Sequence, residues 1–91
     1  MTCYVVAYDL VSPGQDYDSL YNQIKSYKSW CHPMESTWFI VSDKSATKIR
    51  SEIRAEMDSN DKLFVGKVTR EAAWRNLSEK ASNWLKINLE N

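Results

Sequence analysis

Three segments of the chain have the composition of β-strands. Tyr4 to Leu10 is apolar or aromatic at both odd and even positions, so we expect both faces of this strand to be covered. Met34 to Val41 alternates between two faces, and Lys62 to Val68 is a third run of the same kind. Gly66 in the third run indicates a bulge or a close approach to the backbone.

The segment between the first two predicted strands has apolar residues at helical spacing and predicts a helix over residues 16–30. Ser12-Pro13-Gly14-Gln15 has Pro and Gly at the central positions of a type II turn, after which Asp16 can cap the helix. Cys31-His32-Pro33 is predicted to end the helix, because the residue before a proline disfavours the helical conformation.

Two further amphipathic segments predict two more helices. The second helix has Ala46, Ile49, Ile53 and Met57 at helical spacing and a mixed-charge outer face. The third is predicted from Thr69, its cap, to about Leu89, and its apolar stripe contains two tryptophans.

The order of these elements predicts a single domain with a core over residues 1–68 and a helix over residues 69–91. Strands that alternate with helices predict an α/β layer with right-handed crossovers. If the second strand bends near Ser36 into two short strands, the order becomes β-α-β-β-α-β, a ferredoxin-like α+β core with an additional C-terminal amphipathic helix. A sheet this small exposes unpaired edges, so we expect a homodimer.

Composition limits the classes of function. The 43% hydrophobic content is typical of a globular chain, and twelve basic residues balance twelve acidic ones, so binding of nucleic acid would depend on a local patch. No segment approaches the roughly eighteen apolar residues of a transmembrane helix, and no signal peptide is recognisable. We therefore expect a cytoplasmic protein without membrane contact.

Asp9 ends the first predicted strand just before the Pro-Gly turn, where loops leave a sheet and ligands often bind. One carboxylate cannot hold Mg²⁺ tightly by itself, but a two-fold dimer supplies a second Asp9. The alternative is that Asp9 accepts hydrogen bonds within the turn, as Asp commonly does at such positions.

Tyr8-Asp9-Leu10, followed by a helix and by Glu35-Ser36-Thr37-Trp38-Phe39, resembles the CRISPR-associated protein 2 family and the related virulence-associated protein D endoribonucleases. The resemblance covers roughly residues 3–68. It implies a ferredoxin-like homodimer that is either a metal-dependent endonuclease or a structural adaptor for a partner enzyme. Asp9 matches the family aspartate that is proposed to hold Mg²⁺ or Mn²⁺ at the dimer cleft, and Ser36 matches the serine of the second strand.

Other candidate site residues each have a functional and a structural interpretation. His32 could act as a general base or contact phosphate, or could be an exposed loop histidine. Ser36 has no basic partner in sequence that would mark it as a nucleophile, and it could satisfy a backbone group where the strand bends. The two cysteines, Cys3 and Cys31, are expected to be buried and unreactive.

The basic residues around the second helix could contact phosphates, or could form a solvated face whose charge is diluted by two glutamates. These residues are Lys44, Lys48, Arg50 and Arg54. Three tryptophans are expected to pack in the core or against a partner subunit, namely Trp38, Trp74 and Trp84.

The leading hypothesis from the sequence is a dimeric nucleic-acid-processing protein, a metal-dependent endonuclease with paired Asp9 residues. The alternative is a non-catalytic adaptor or inhibitor that binds nucleic acid or a protein partner through the same dimer scaffold.

Overall fold

The computed structural model describes residues 1–11 and 17–89, and these contain four strands and three helices. The predicted type II turn at Ser12–Gln15 and its Asp16 cap lie outside the described residues. In chain order the elements are β1 (Thr2–Asp9), α1 (Asp18–Lys25), β2 (Ser29–Met34), β3 (Thr37–Ser42), α2 (Ala46–Arg54), β4 (Lys62–Lys67) and α3 (Glu79–Asn88).

The four strands form one antiparallel sheet in the order β2-β3-β1-β4. The mixed α/β class is confirmed, but the expectation of three strands is wrong, because residues 29–33, predicted to lie at the end of the first helix and just after it, form most of a fourth strand, β2. Glu35 and Ser36 form the turn between β2 and β3, so the chain turns near Ser36 as predicted, but only Met34 of the predicted strand Met34–Val41 belongs to β2. All neighbouring strands run antiparallel. Helix α1 therefore connects the parallel strands β1 and β2, which have β3 between them, and α2 connects the parallel strands β3 and β4, which have β1 between them.

The first helix is shorter than predicted, and the residues after it are strand. α1 ends at Lys25, whereas Trp30 and Cys31 pair with Ile40 and Phe39 of β3. Pairing with β3 satisfies the backbone groups of this segment, which outweighs the helical spacing of its apolar side chains. Pro33 is tolerated because β2 is an edge strand and its register shifts between Cys31 and Met34.

The last helix begins at Glu79, ten residues after the predicted start at Thr69. Its cap is Ser78, whose Oγ accepts a hydrogen bond from the Ala81 N–H at 3.1 Å. Before the cap, Asn76 has a φ of 64°, in the left-handed region that no residue inside a right-handed helix adopts. Residues 70–78 are therefore irregular chain that leads from β4 to α3.

The sheet has a core on each face. One core lies under α1 and α2 and contains the even-numbered residues of β1 and β3, and its members are Tyr4, Val6, Tyr8, Tyr17, Leu20, Ile24, Tyr27, Trp38, Ile40, Ile49 and Ile53. A smaller core lies under α3 and contains Cys3, Leu85 and Leu89, against which Phe39, Val68, Trp74, Leu77 and Trp84 pack. The prediction that both faces of β1 are covered is confirmed only near its beginning, since Asp9 is exposed and Val5 and Ala7 are half-buried.

Both cysteines are buried thiols, as predicted. Cys31 lies on β2 and not at a helix end. Burial raises the pKa of its thiol, and the nearby Lys80 ammonium opposes that shift. Among the described helices, none has the length and apolar character needed to cross a membrane.

Candidate functional site

Asp9 is the last residue of β1 and its side chain is exposed. Its register partner on β4 is Lys62, so an ammonium-bearing side chain stands directly opposite the carboxylate on the neighbouring strand. The two residues border a shallow depression of about 250 Å³ whose wall includes Ala7 and Phe64.

The surroundings of Asp9 can be compared with what a divalent metal needs. In residues 1–11 and 17–89, no three His, Cys, Asp or Glu side chains lie close enough together to hold a metal ion. Mg²⁺ prefers six oxygen ligands, and a lysine opposite the single carboxylate opposes a second positive charge there. The residues that the structure describes in one chain therefore do not fit a metal site at Asp9.

Ser36 and His32 both lie at the β2–β3 hairpin, close to the end of β1. The Ser36 carbonyl accepts a hydrogen bond from the Tyr8 N–H at 3.1 Å, so Ser36 fastens the hairpin turn to β1 through its backbone. The His32 Nε2 lies 3.1 Å from the Glu35 carbonyl oxygen. Neither Ser36 nor His32 forms a side-chain hydrogen bond with Asp9 in the part of the chain that the structure describes, so the three predicted catalytic residues are not assembled.

Trp38 belongs to the core of this chain, where it is 2% exposed. The imidazole of His32 stacks on its ring, with 3.7 Å between the ring centroids and 8° between the planes. Its Nε1 donates a hydrogen bond of 2.9 Å to the Tyr8 hydroxyl. Burial raises the pKa of that hydroxyl, and the hydrogen bond from Trp38 opposes the shift. Trp38 therefore packs within the chain, and little of its surface is left for a partner.

The four basic residues predicted to contact phosphate are divided between two sides of α2. Lys44 Nζ forms an ion pair of 2.8 Å with Glu52, and its hydrogen bond lowers the pKa of that carboxyl. The Tyr27 hydroxyl also donates a hydrogen bond to Glu52 at 2.8 Å, and burial raises the pKa of Tyr27 to about 12. Lys48 precedes Glu52 by one helical turn, so both lysines lie near a carboxylate.

Arg50 and Arg54 lie one turn apart on the other side of α2 and line a cleft of about 500 Å³ with the loop between α2 and β4. Asp58 and Asp61 also line this cleft. The Asp61 Oδ1 accepts the Val11 N–H at 2.8 Å, and its Oδ2 accepts the Asp58 N–H at 2.9 Å. This carboxylate holds the loop in place. Within the described residues, neither guanidinium has an ion-pair partner or a hydrogen-bond acceptor.

The other two predicted packing tryptophans orient the C-terminal segment on the sheet. Trp74 Nε1 donates to the Ser82 Oγ at 3.0 Å, and Trp84 Nε1 donates to the Ser29 Oγ at 2.9 Å. Both are only partly buried. They fix α3 and the irregular chain before it against β2.

Part of the second sheet face is left open beyond α3. Register places Met34, Thr37, Ala7 and Phe64 in one row across all four strands. Met34 is 47% exposed and Phe64 is 63% exposed. The Phe64 ring lies over Gly66, where an added Cβ would come within 2.7 Å of the ring. The predicted bulge or close backbone approach at Gly66 is therefore replaced by contact with a side chain of the same strand, and the pairing of β4 with β1 is regular there. We call this row the open sheet face. Asp9 follows Ala7 by two residues, so its side chain lies on the same face of β1.

Sequence reasoning missed the strand β2, and with it the surface that β2 forms beside α3. The available signal was the alternation in Ser29-Trp30-Cys31-His32, which puts Ser29 and Cys31 on one face and the two ring-bearing residues on the other. Helical spacing through Leu20, Ile24 and Tyr27 obscured this alternation.

Comparison of the chain with protein-family models, with curated proteins and with solved structures found no match.

Proposed function

We propose that the chain is a homodimeric nucleic-acid-binding adaptor with a ferredoxin-like fold. The order β-α-β-β-α-β before α3 and the sheet order β2-β3-β1-β4 support the fold assignment, since a ferredoxin-like sheet consists of two interleaved β-α-β units. The resemblance to CRISPR-associated protein 2 supports the same scaffold. A structural adaptor role is one of the two roles that this resemblance implies.

The observation that carries the binding function is the pair of guanidinium groups on α2. Arg50 and Arg54 are exposed, are adjacent on one side of the helix and have no carboxylate partner in the described residues. Successive phosphates of a nucleic acid suit such a pair, because a guanidinium donates two parallel hydrogen bonds to phosphate oxygens. Lys44 is already paired with Glu52, so the arginines are the cations best placed to bind.

Replacing both arginines by glutamine is expected to weaken nucleic-acid binding and to reduce its salt dependence. If each guanidinium contacts one phosphate, the slope of log K against log salt concentration for duplex DNA falls in magnitude by about 1.8. Fluorescence anisotropy of a labelled oligonucleotide over a salt series measures this slope. The charge-matched control is Lys48→Gln with Lys86→Gln, two exposed lysines outside the cleft, and an equal change in this control would remove the assignment to the arginines.

The open sheet face supports the homodimer. Met34 and Phe64 are exposed apolar side chains at the two ends of this row, with the half-buried Thr37 and Ala7 between them, and packing against a second copy of the same face buries them. Lys62 and Asp9 border this face with opposite charges, so a two-fold arrangement can pair the lysine of one chain with the aspartate of the other.

The position of Asp9 favours a second candidate function, the metal-dependent endonuclease. Because Asp9 lies beside the open sheet face, a dimer through that face brings two copies of Asp9 to one interface. Two carboxylates together supply oxygen ligands that one chain lacks, and Mg²⁺ or Mn²⁺ bound there would stabilise charge on a scissile phosphate.

Under this second candidate, Asp9→Asn is expected to abolish cleavage of RNA or DNA in the presence of Mg²⁺ or Mn²⁺ while the dimer persists. The change removes the charge that would hold the metal and keeps the size of the side chain. Gel analysis of labelled substrates measures cleavage, sedimentation velocity measures the dimer, and Asp43→Asn is the control for an exposed carboxylate elsewhere. Wild-type and Asp9→Asn proteins that cleave equally would refute the catalytic role.

A further inference from the structure

A second cleft lies along the outer edge of β2, between that strand and the first turns of α3. Its volume is about 270 Å³, and its lining consists of Trp30, Cys31, His32, Ser78, Lys80, Ala81 and Trp84. Trp30 and His32 lie on one face of β2, and Trp84, which hydrogen-bonds Ser29, lies on the other, so the cleft runs around the edge of the strand. We call it the β2-edge cleft.

The aromatic walls of the β2-edge cleft are held in place before any ligand binds. The Trp84 indole is fixed by its hydrogen bond to the Ser29 hydroxyl. Trp30 packs on the buried Trp38, with 5.5 Å between ring centroids and 55° between planes, yet remains 40% exposed. His32 is held by its stack on the same ring. Rigid aromatic surfaces lose little conformational entropy on binding, so they favour a flat partner.

The polar groups of the cleft are those that a nucleotide needs. Lys80 lines the cleft, and Lys25 Nζ lies 5.3 Å from the Trp30 ring centroid, so two ammonium groups stand near the cleft. β2 is the edge of the sheet, and backbone groups on its outer side have no strand partner there. Such groups can donate to and accept from the edge of a base, while the ammonium groups attract phosphate.

We propose that the β2-edge cleft binds unstacked bases of single-stranded nucleic acid. This inference rests on the proposed function, in that the ligand is nucleic acid, and it adds the strand type and a second site. Bases in a duplex are stacked on one another and cannot lie on an indole at the edge of a sheet, whereas the bases of a single strand can stack on the exposed Trp30. The cleft that Arg50 and Arg54 line lies beside β4, at the opposite edge of the sheet, so the two sites can be inactivated separately.

The test uses the full chain with three labelled probes, namely a short oligothymidylate, an abasic deoxyribose-phosphate oligomer of equal length and a duplex of equal length. Trp30→Ala is expected to weaken binding of oligothymidylate by about 5- to 150-fold, the range for loss of one stacked base. Binding of the abasic oligomer stays unchanged, because its phosphates contact only cations. Trp30→Phe keeps an aromatic face and is expected to bind within a few-fold of wild type.

Two further variants keep the test decisive. Trp84→Phe retains an aromatic wall without the indole hydrogen bond and should weaken oligothymidylate binding less than Trp30→Ala does. Ile87→Ala removes an exposed apolar side chain that does not line the cleft and should leave oligothymidylate binding unchanged. Circular dichroism checks that each variant is folded.

Equal affinity of the wild type for oligothymidylate and the abasic oligomer would overturn the proposal, as would a Trp30→Ala variant that binds oligothymidylate like wild type. In either case, loss of binding in the double arginine variant would leave the proposed function standing. If the wild type binds none of the three probes, the proposed function fails and this inference fails with it.

Discussion

Replacing Trp38 by alanine is expected to reduce the free energy of unfolding by about 3–5 kcal/mol, the usual cost of truncating a large buried aromatic residue. Trp38 is 2% exposed and contacts three rings, those of Tyr21, Trp30 and His32. Its removal leaves a cavity between β2, β3 and α1, and it also leaves the Tyr8 hydroxyl without its hydrogen-bond donor. Urea unfolding followed by circular dichroism measures the loss.

Trp38→Phe separates packing from hydrogen bonding at this position. The phenyl ring keeps much of the apolar contact, so a smaller loss is expected, made up of the missing hydrogen bond of about 1 kcal/mol and a smaller cavity. A loss below about 1 kcal/mol in the alanine variant would show that the ring does not hold the hairpin to the rest of the core. The packing of Trp38 between β2, β3 and α1 would then be wrong.

Leu85→Ala is expected to cost about 2–5 kcal/mol, because Leu85 is 2% exposed and belongs to the small core that fastens α3 to the sheet. The matched control is Ile87→Ala on the same helix. Ile87 is 77% exposed, so its truncation should change the free energy of unfolding by no more than about 0.5 kcal/mol. Thermal and urea unfolding of both variants measure the difference.

The slope of the urea transition adds a second readout for Leu85→Ala. If α3 detaches while the rest remains folded, the slope decreases, since less surface is exposed in the main transition. Equal effects of the two substitutions would contradict the docking of α3 on the second sheet face.

Sequence patterns predicted those elements whose local signal agrees with their packing. α2 is an example, because the spacing of Ile49 and Ile53 matches their burial and Ser45 caps the helix through a hydrogen bond from the Lys48 N–H. β1 and β4 are apolar runs bounded by turn residues, and they form strands close to the predicted bounds. In these segments local propensity and tertiary contacts favour the same structure.

The errors arose where contacts distant in sequence decide the conformation. Residues after Lys25 continue a helical pattern, but the partner that makes them a strand is β3, whose own beginning at Thr37 was hidden within one long predicted strand. Residues after Thr69 likewise have helical spacing, yet Trp74 and Leu77 pack partly buried against the small core without forming a helix. Long-range pairing is not encoded in local periodicity.

The candidate site was less predictable than the fold. Sequence reasoning grouped Arg50 and Arg54 with Lys44, but it could not show that Glu52 engages the lysine and leaves the arginines unpaired. It also placed Trp30 on a helix, although its role at the β2-edge cleft depends on its being in an edge strand. Both distinctions depend on which side chains meet after folding.

Pro33 affects how chains of this protein can associate. A proline has no N–H to donate, and the register shift beside it interrupts the regular spacing of backbone groups along β2. A strand from another molecule therefore cannot extend the sheet along that side in a continuous ladder. At the other side, β4 carries a lysine at each end, and like charges oppose the approach of an identical strand. The sheet is thus protected against fibre-like growth at both margins, and association is directed to its faces.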